Sequence, residues 1–283
     1  MTETWTITKL LDWTTDYFKK AQIEWPHLEA EILLAHSLGL KRIELYTQHE
    51  RALSKEELAN FKLLIKRRSL HEPIAYITGY QPFMVLDIIV DQNVLIPRPE
   101  TEQMVEIVIE LVTRNPQLVT IADIGTGSGC IAVTLAKYLP QVKVIAIDSA
   151  PQAIAVAQKN ADKHQVSNRC QFIIGNLLEP LTEKIDLIIS NPPYIPTAII
   201  ETLETNVKDF EPRQALDGER DGLDYIRRLI KESPQHLKEN GQLILEFGID
   251  QAEEIKRLAQ QSFREIKIIR DASGKARFLL AQL

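Results

Sequence analysis

Thr120-Ile121-Ala122-Asp123-Ile124-Gly125-Thr126-Gly127-Ser128-Gly129-Cys130 decides the fold. Thr120 to Ile124 reads as a short apolar strand, Gly125 to Gly129 as a glycine-rich turn, and Cys130 to Leu139 as a helix. That order is a nucleotide-binding layout. Glycine lets the backbone turn tightly and lets a ligand approach where a Cβ would otherwise stand. The spacing is GxGxG, and Cys130 stands where a dinucleotide fingerprint, GxGxxG, wants glycine. The turn therefore carries no clear pyrophosphate signature, and a cofactor without phosphate fits it.

Downstream, the pattern keeps alternating. Lys143 to Ile147 is a strand ending in Asp148, Pro151 to Lys163 a helix, and Gln171 to Ile174 a strand. Ile185 to Ile189 is a strand running into Ser190-Asn191-Pro192-Pro193-Tyr194. Leu223 to Lys238 is a helix, Gln242 to Glu246 a strand, and Ala252 to Gln261 a helix. Glu265 to Ile269 and Arg277 to Leu280 close the chain as strands joined by Asp271-Ala272-Ser273-Gly274. Repeated β-α-β units predict an α/β fold, a mostly parallel seven-stranded sheet with helices on both faces. The terminal hairpin adds an antiparallel last strand.

Upstream, the chain reads as helical. Ile7, Leu10, Leu11, Tyr17 and Phe18 recur near a 3.6-residue period. Pro26 opens a second helix with Leu28, Ile32, Leu33 and Leu38 on its apolar side and Gly39 past its end. Ser54 and Glu57 form a capping-box pattern ahead of the stripe Leu58, Phe61, Leu64, Ile65. Lys62, Lys66, Arg67 and Arg68 read as a solvated face, or as a docking patch for an acidic partner. Phe83-Met84-Val85-Leu86 and Ile88-Ile89-Val90 are strand-like, with Asp91-Gln92-Asn93 as a turn. The division expected is a helical domain over 1–80, a β-hairpin linker over 81–98, and an α/β domain over 99–283.

The 283 residues carry a net charge of -6. A partner of bare duplex nucleic acid more often selects a basic protein, so the balance favours a protein or small-molecule substrate. Cys130 and Cys170 have no CxxC context and read as reduced thiols in a cytoplasmic protein. Nothing in the sequence suggests a metal site. The N-terminus has no signal-peptide core, and no run of about 18 apolar residues predicts a membrane span. A monomer is the simple expectation.

Asp148, about 20 residues past the glycine turn, is placed to accept hydrogen bonds from both hydroxyls of a ribose. A helix N-cap ahead of Pro151 is its plainer role. Glycine turn, acidic strand end and final hairpin together resemble the Rossmann-like class I methyltransferase fold. The resemblance implies S-adenosylmethionine as cofactor. Its methionine part would lie over Gly125, Thr126, Gly127, Ser128 and Gly129, its ribose on Asp148, and its adenine near Asn176 and Leu177. Many relatives carry aspartate at the position of Asn176, which still accepts through its carbonyl.

Asn191-Pro192-Pro193-Tyr194 follows an apolar strand, so it sits at the carboxyl edge of the sheet, where open α/β folds bind ligands. The two prolines stiffen it, and Pro192 holds Asn191 extended. A rigid turn is the bland reading. The tetrapeptide looks like the one methyltransferases use on planar NH₂ groups. Such a nitrogen is a poor nucleophile because its lone pair is delocalised. The Asn191 side-chain oxygen and a backbone carbonyl near Pro192 can each accept one N–H, and the Tyr194 ring can cover the flat face. Catalysis is then positioning with electrostatic help.

Four further segments carry a narrower resemblance: Glu72 to Gly79, Leu95-Ile96-Pro97-Arg98-Pro99-Glu100-Thr101-Glu102, Glu211-Pro212-Arg213 with Leu216-Asp217-Gly218 and Asp221-Gly222, and Gly241 to Gly248. With GxGxG and Asn191 to Tyr194, they resemble the peptide chain release factor N(5)-glutamine methyltransferases (the HemK/PrmC family) over nearly the whole chain. Glu219-Arg220 departs from the family's usual glycine. The resemblance implies a protein-glutamine N-methyltransferase acting on the Gly-Gly-Gln glutamine of class 1 release factors, which the helical domain would bind. The products would be N(5)-methylglutamine and S-adenosylhomocysteine. Arg98 would touch backbone carbonyls of that tripeptide loop, anchored by Glu100 or Glu102, or would instead form a domain-linking salt bridge.

Three rivals stand beside this. A nucleic-acid adenine or guanine amino-group methyltransferase shares the tetrapeptide, but usually adds basic surface and a means of reaching its base. A non-catalytic scaffold would not need both motifs intact. A dehydrogenase is disfavoured by Cys130.

Overall fold

In the computed structural model, which describes residues 4–283, the chain divides into two compact units. The first runs to Gly79 and takes in Thr205–Phe210; the second holds the rest. Among the described residues no helix is long and apolar enough to cross a membrane.

The first unit is built from α1 (Ile7–Lys20), α2 (Pro26–Leu38), α3 (Arg42–Thr47), α4 (Lys55–Ser69) and α5 (Ile74–Thr78). Pro26 sits at the start of α2, and Gly39 closes it with φ +65°, a left-handed value that a side chain resists. Ser54 and Glu57 cap α4 reciprocally. Phe18, Leu33, Leu34, Leu45 and Phe61 fill the core.

Three readings need correction here. Tyr17 is turned outward and stacks on Trp13, with ring centroids 5.3 Å apart. The buried face of α2 is Ala30, Leu33, Leu34 and Ala35, while Leu28 is exposed; this helix is apolar nearly all round, so periodicity alone could not orient it. The basic side of α4 is only partly solvated. Arg68 is buried against Glu29 (Nε to Oε2 2.5 Å), and Arg67 makes two bonds to Glu72 (2.8 and 2.5 Å).

The second unit opens with the antiparallel hairpin β1 (Tyr80–Phe83) and β2 (Leu86–Ile89). Met84 and Val85 make its turn, so the strand read over 83–86 is in fact the bend, and Asp91 to Asn93 turns the chain after the hairpin. Met84 takes φ +54°, which no turn-forming residue announces, and its amide donates to Glu102 (2.7 Å). The fully buried Asn160 side chain bonds both the amide and the carbonyl of Ile89 (2.7 and 2.9 Å) and the Ser128 carbonyl (2.8 Å).

Next come α6 (Pro99–Arg114), β3 (Thr120–Ile124), α7 (Cys130–Tyr138), β4 (Lys143–Asp148), α8 (Pro151–Lys163), β5 (Cys170–Ile174) and β6 (Ile185–Ser190). The one-turn helices α9 (Thr197–Ile200) and α10 (Thr205–Lys208) follow, the latter in the segment counted with the first unit. Then come α11 (Asp224–His236), β7 (Leu237–Glu246), α12 (Ala252–Ala259), β8 (Glu265–Arg270) and β9 (Ala276–Gln282). Strand β7 starts at Leu237, earlier than the Gln242 read from sequence, because polar residues Lys238 to Asn240 mask its first half.

The seven strands β3 to β9 lie in the order β5-β4-β3-β6-β7-β9-β8. Strands β3 to β7 are mutually parallel, and β9 inserts antiparallel between β7 and β8. Every residue of β6 is buried, as befits a central strand covered on both faces. The order reverses between β3 and β6, and there the carboxyl ends leave a crevice. Ile124 pairs with Ser190, so Gly125 and Asn191 emerge side by side.

Candidate active site

The glycine turn is held by the end of β4. Gly125 and Thr126 donate to the Ile147 carbonyl (2.8 and 3.0 Å), and Gly127 donates to Asp148 Oδ2 (2.8 Å). Gly125 and Gly127 have φ +72° and +55°, and a Cβ built on either would meet open space, the place a ligand would take. Gly129 is glycine for another reason: a Cβ there would stand 2.9 Å from that of Ala157 in α8. Asp148 does not cap α8 as its N-cap residue. Its Oδ1 accepts from Ala150 (2.9 Å), and the Ser149 amide also interacts with the carboxylate. Burial raises its pKa, against the pull of those backbone amides.

Beneath the turn, Asp123 is fully buried. Its Oδ2 accepts from Thr126 Oγ1 (2.6 Å) and the Ala132 amide (3.2 Å), while Oδ1 has no partner among the described residues. Burial pushes its pKa up to about 7, with the Asp148 charge adding to the rise.

Asn191 to Tyr194 leaves β6 through Ser190, whose hydroxyl donates to the Ile124 carbonyl (2.6 Å). The loop Leu216 to Gly222 packs on this tetrapeptide. Ile195 donates to Leu216, and Gly218 donates back to Ile195 (3.1 and 2.8 Å). A Cβ on Gly218 would come within 2.8 Å of the Pro193 carbonyl, and one on Gly222 within 2.2 Å of the Tyr194 carbonyl. Gln251 Nε2 donates to that same carbonyl (3.0 Å).

Two residues given no role by sequence reasoning meet the tetrapeptide. Asn191 Nδ2 donates to Thr101 Oγ1 (3.1 Å), and Thr101 Oγ1 donates to Glu246 Oε2 (2.8 Å). Tyr194 Oη donates to Glu246 Oε1 (3.4 Å). Glu246 is 2% exposed, and burial raises its pKa to about 7 against the Thr101 hydrogen bond. Burial likewise raises the Tyr194 phenol. A carboxylate closing the apolar run Leu243-Ile244-Leu245 is the one signal that marked Glu246.

A cleft of about 880 Å³, including solvent at its mouth, brings together Gly125, Gly127, Asp148, Leu177, Asn191 and Pro193. Leu177 holds φ +50°, a strained value for a bulky residue, and Asn176 beside it donates to Glu179 (2.7 Å). A smaller neighbouring cavity, about 360 Å³, is lined by Arg98, Thr126 and Ser128, and shares Asn191. Gly129, Pro192 and Tyr194 line neither. Arg98 pairs with the buried Glu211 (2.5 Å), which also accepts from the Ile96 amide (3.1 Å); Glu102, expected as an anchor, takes Met84 instead.

The chain is similar to proteins already known. Residues 9–79 match the family model of the PrmC N-terminal domain, and residues 101–205 that of the methyltransferase small domain. A release factor glutamine methyltransferase from Geobacter sulfurreducens is 47% identical over 89% of this chain and 88% of its own. One from Rhodopirellula baltica is 42% identical over 98% of this chain and 96% of its own. A methyltransferase structure from Pyrococcus furiosus superposes with a TM-score of 0.52 at 18% identity, covering 79% of this chain and 98% of that one.

Proposed function

This chain belongs to the release factor glutamine methyltransferase family, and we propose that it methylates the side-chain amide nitrogen of the Gly-Gly-Gln glutamine in class 1 peptide chain release factors. The methyl donor in this reading is S-adenosylmethionine, and the products are N(5)-methylglutamine and S-adenosylhomocysteine. The observation that carries it is the sharing of one cleft by the glycine turn, Asp148 and the Asn191-Pro193 edge.

The residues present suit that cofactor. Asp148 lines the cleft with a carboxylate that suits the hydroxyls of a ribose, and the glycines leave open space where a Cβ would intrude. Leu177 and Asn176 offer a wall for adenine. Thr126, Ser128 and Gly129 serve by shaping the turn. When bound, S-adenosylmethionine supplies an electrophilic methyl group on a sulfonium.

Everything else falls to the chain. Asn191 Oδ1 and a backbone carbonyl near Pro192 each accept one N–H of the glutamine amide, which aims the nitrogen lone pair at the donor. Pro192 and Pro193 keep those acceptors from relaxing, so little reorganisation is needed at the moment of transfer. Tyr194, its hydroxyl anchored on Glu246, braces the tetrapeptide beside the cleft. The methylated nitrogen is strongly acidic, and its proton passes to a hydrogen-bonded acceptor or to water. Arg98 steadies the tripeptide loop from beside Glu211. The helical N-terminal region, 1–80 in the sequence reading, docks the release factor, and the hairpin joins it to the catalytic domain.

The test is mass spectrometry of an unmethylated release factor incubated with this protein and S-adenosylmethionine. One added methyl group on the Gly-Gly-Gln glutamine is the expected result. Transfer only to adenine or guanine amino groups of nucleic acid would overturn the reading.

A further inference from the structure

We propose that Thr101 and Glu246 are positioning residues that decide which end of the Asn191 side-chain amide faces the cleft. This rests on the amide-holding role of Asn191 given above. An asparagine presents an oxygen on one side and an NH₂ group of nearly the same size on the other, and rotation about its last torsion meets only a broad barrier. The two orientations have opposite chemistry. With Oδ1 forward, Asn191 accepts from a substrate NH₂. With Nδ2 forward, donor meets donor and the substrate amide is repelled.

The hydrogen-bond directions remove the second orientation. Ionised, as it is above pH 7, Glu246 offers only acceptor oxygens, so the single Thr101 hydroxyl proton goes to Oε2 at 2.8 Å. The hydroxyl oxygen is then left with lone pairs only, and it faces Asn191 at 3.1 Å. Only Nδ2 can meet it; Oδ1 in that place would set two acceptors against each other. The polarity set at the carboxylate therefore runs through Thr101 and leaves Oδ1 for the cleft that Asn191 lines. The other carboxylate oxygen takes the Tyr194 hydroxyl at 3.4 Å, so one side chain orients both polar groups of the tetrapeptide.

The fold delivers these residues from far apart. Ser190 pairs with Leu245, so Glu246 comes next along β7 just where Asn191 leaves β6. Thr101 enters from the first turn of α6. Both are 2% exposed, so water cannot substitute for either partner. A buried carboxylate is costly to keep without donors, and this one takes its donors from Thr101, which touches the tetrapeptide, and from Tyr194 within it.

The experiment is a double-mutant cycle read by kinetics and by NMR. Thr101→Val keeps the shape and removes the hydroxyl. It is expected to lower kcat on the order of 10²-fold while KM for the release factor moves by no more than about threefold. Thr101→Ser, which restores the hydroxyl, recovers most of the rate. In an Asn191→Ala background Thr101→Val costs less than about twofold, because the residue it acts through is gone. Full additivity in that background, or a KM effect with kcat unchanged, overturns the proposal. The second readout does not need methyl transfer. The Asn191 side-chain N–H₂ signals, identified by their loss in Asn191→Ala, exchange slowly in the wild type and in Thr101→Ser but fast in Thr101→Val. Unchanged exchange overturns the relay. A wild type that leaves the release factor unmethylated overturns the function while the exchange data still judge the relay.

Discussion

Gly127 donates its amide to Asp148 Oδ2 at 2.8 Å, which ties the glycine turn to the acidic end of β4 in a single hydrogen-bonded frame. Asp148→Ala therefore removes both a ligand acceptor and a brace of the turn. S-adenosylmethionine affinity is expected to fall by at least about tenfold, the loss of one charge-assisted hydrogen bond or more. Titration calorimetry checks it, and unchanged affinity removes Asp148 from the ribose.

Asn191→Ala separates chemistry from cofactor binding. The rate of methyl transfer is expected to fall by about 10² to 10³, the cost of losing one preorganised acceptor, with cofactor affinity within a few-fold of wild type. Equal losses in both would show that Asn191 does not act mainly on the substrate amide.

Arg98→Met leaves the carboxylate of Glu211 buried without its cation. The Glu211 side chain is 2% exposed and that of Arg98 33%, so the expected cost is about 2–3 kcal/mol, at or below the low end for a broken buried pair. Thermal melting reads the loss. Melting lowered with the transfer rate intact assigns Arg98 to this ion pair alone, whereas a further drop in kcat/KM beyond that of Glu211→Gln assigns it to the tripeptide loop as well.

Asp123 gives a pH signature. Burial raises its pKa from 3.8 to about 7, so between those values the folded protein holds a proton that the unfolded chain releases. That contribution to stability is complete below about pH 4 and disappears as pH rises through about 7. Asp123→Asn cannot titrate, so its melting temperature relative to wild type is expected to climb from pH 5 to pH 8. A constant difference across that range would place the Asp123 pKa elsewhere.

Deleting residues 1–79 leaves every residue that lines the cleft. Cofactor affinity is expected to survive while methylation of the intact release factor drops sharply. Undiminished activity would deny the N-terminal region its docking role.

Local signals carried most of what the sequence made legible. β3, at Thr120–Ile124, and α8, at Pro151–Lys163, stand where they were read, because an apolar run against glycines and a proline at N1 are punctuation that needs no tertiary context. The glycine turn, Asp148 and Asn191 were visible for the same reason, and the sheet brings them to one cleft. What stayed hidden depends on distant partners. Glu211 reaches Arg98 across 113 residues, and Glu246 reaches Thr101 across 145. Nothing near Arg68 in sequence says that Glu29 will bury it. The bend at Met84 and Val85 leaves no local signal because it uses apolar residues rather than glycine or asparagine.

Asn160 behaves as a strand neighbour that the hairpin lacks, since its one side chain satisfies both main-chain groups of Ile89 while gripping the Ser128 carbonyl behind the glycine turn. The edge of β2 and the back of the turn thus share a rivet. A disturbance that loosens one must slacken the other, so the Ile89 amide is a distant gauge of how firmly the floor of the cleft is seated, readable by hydrogen exchange without a ligand present.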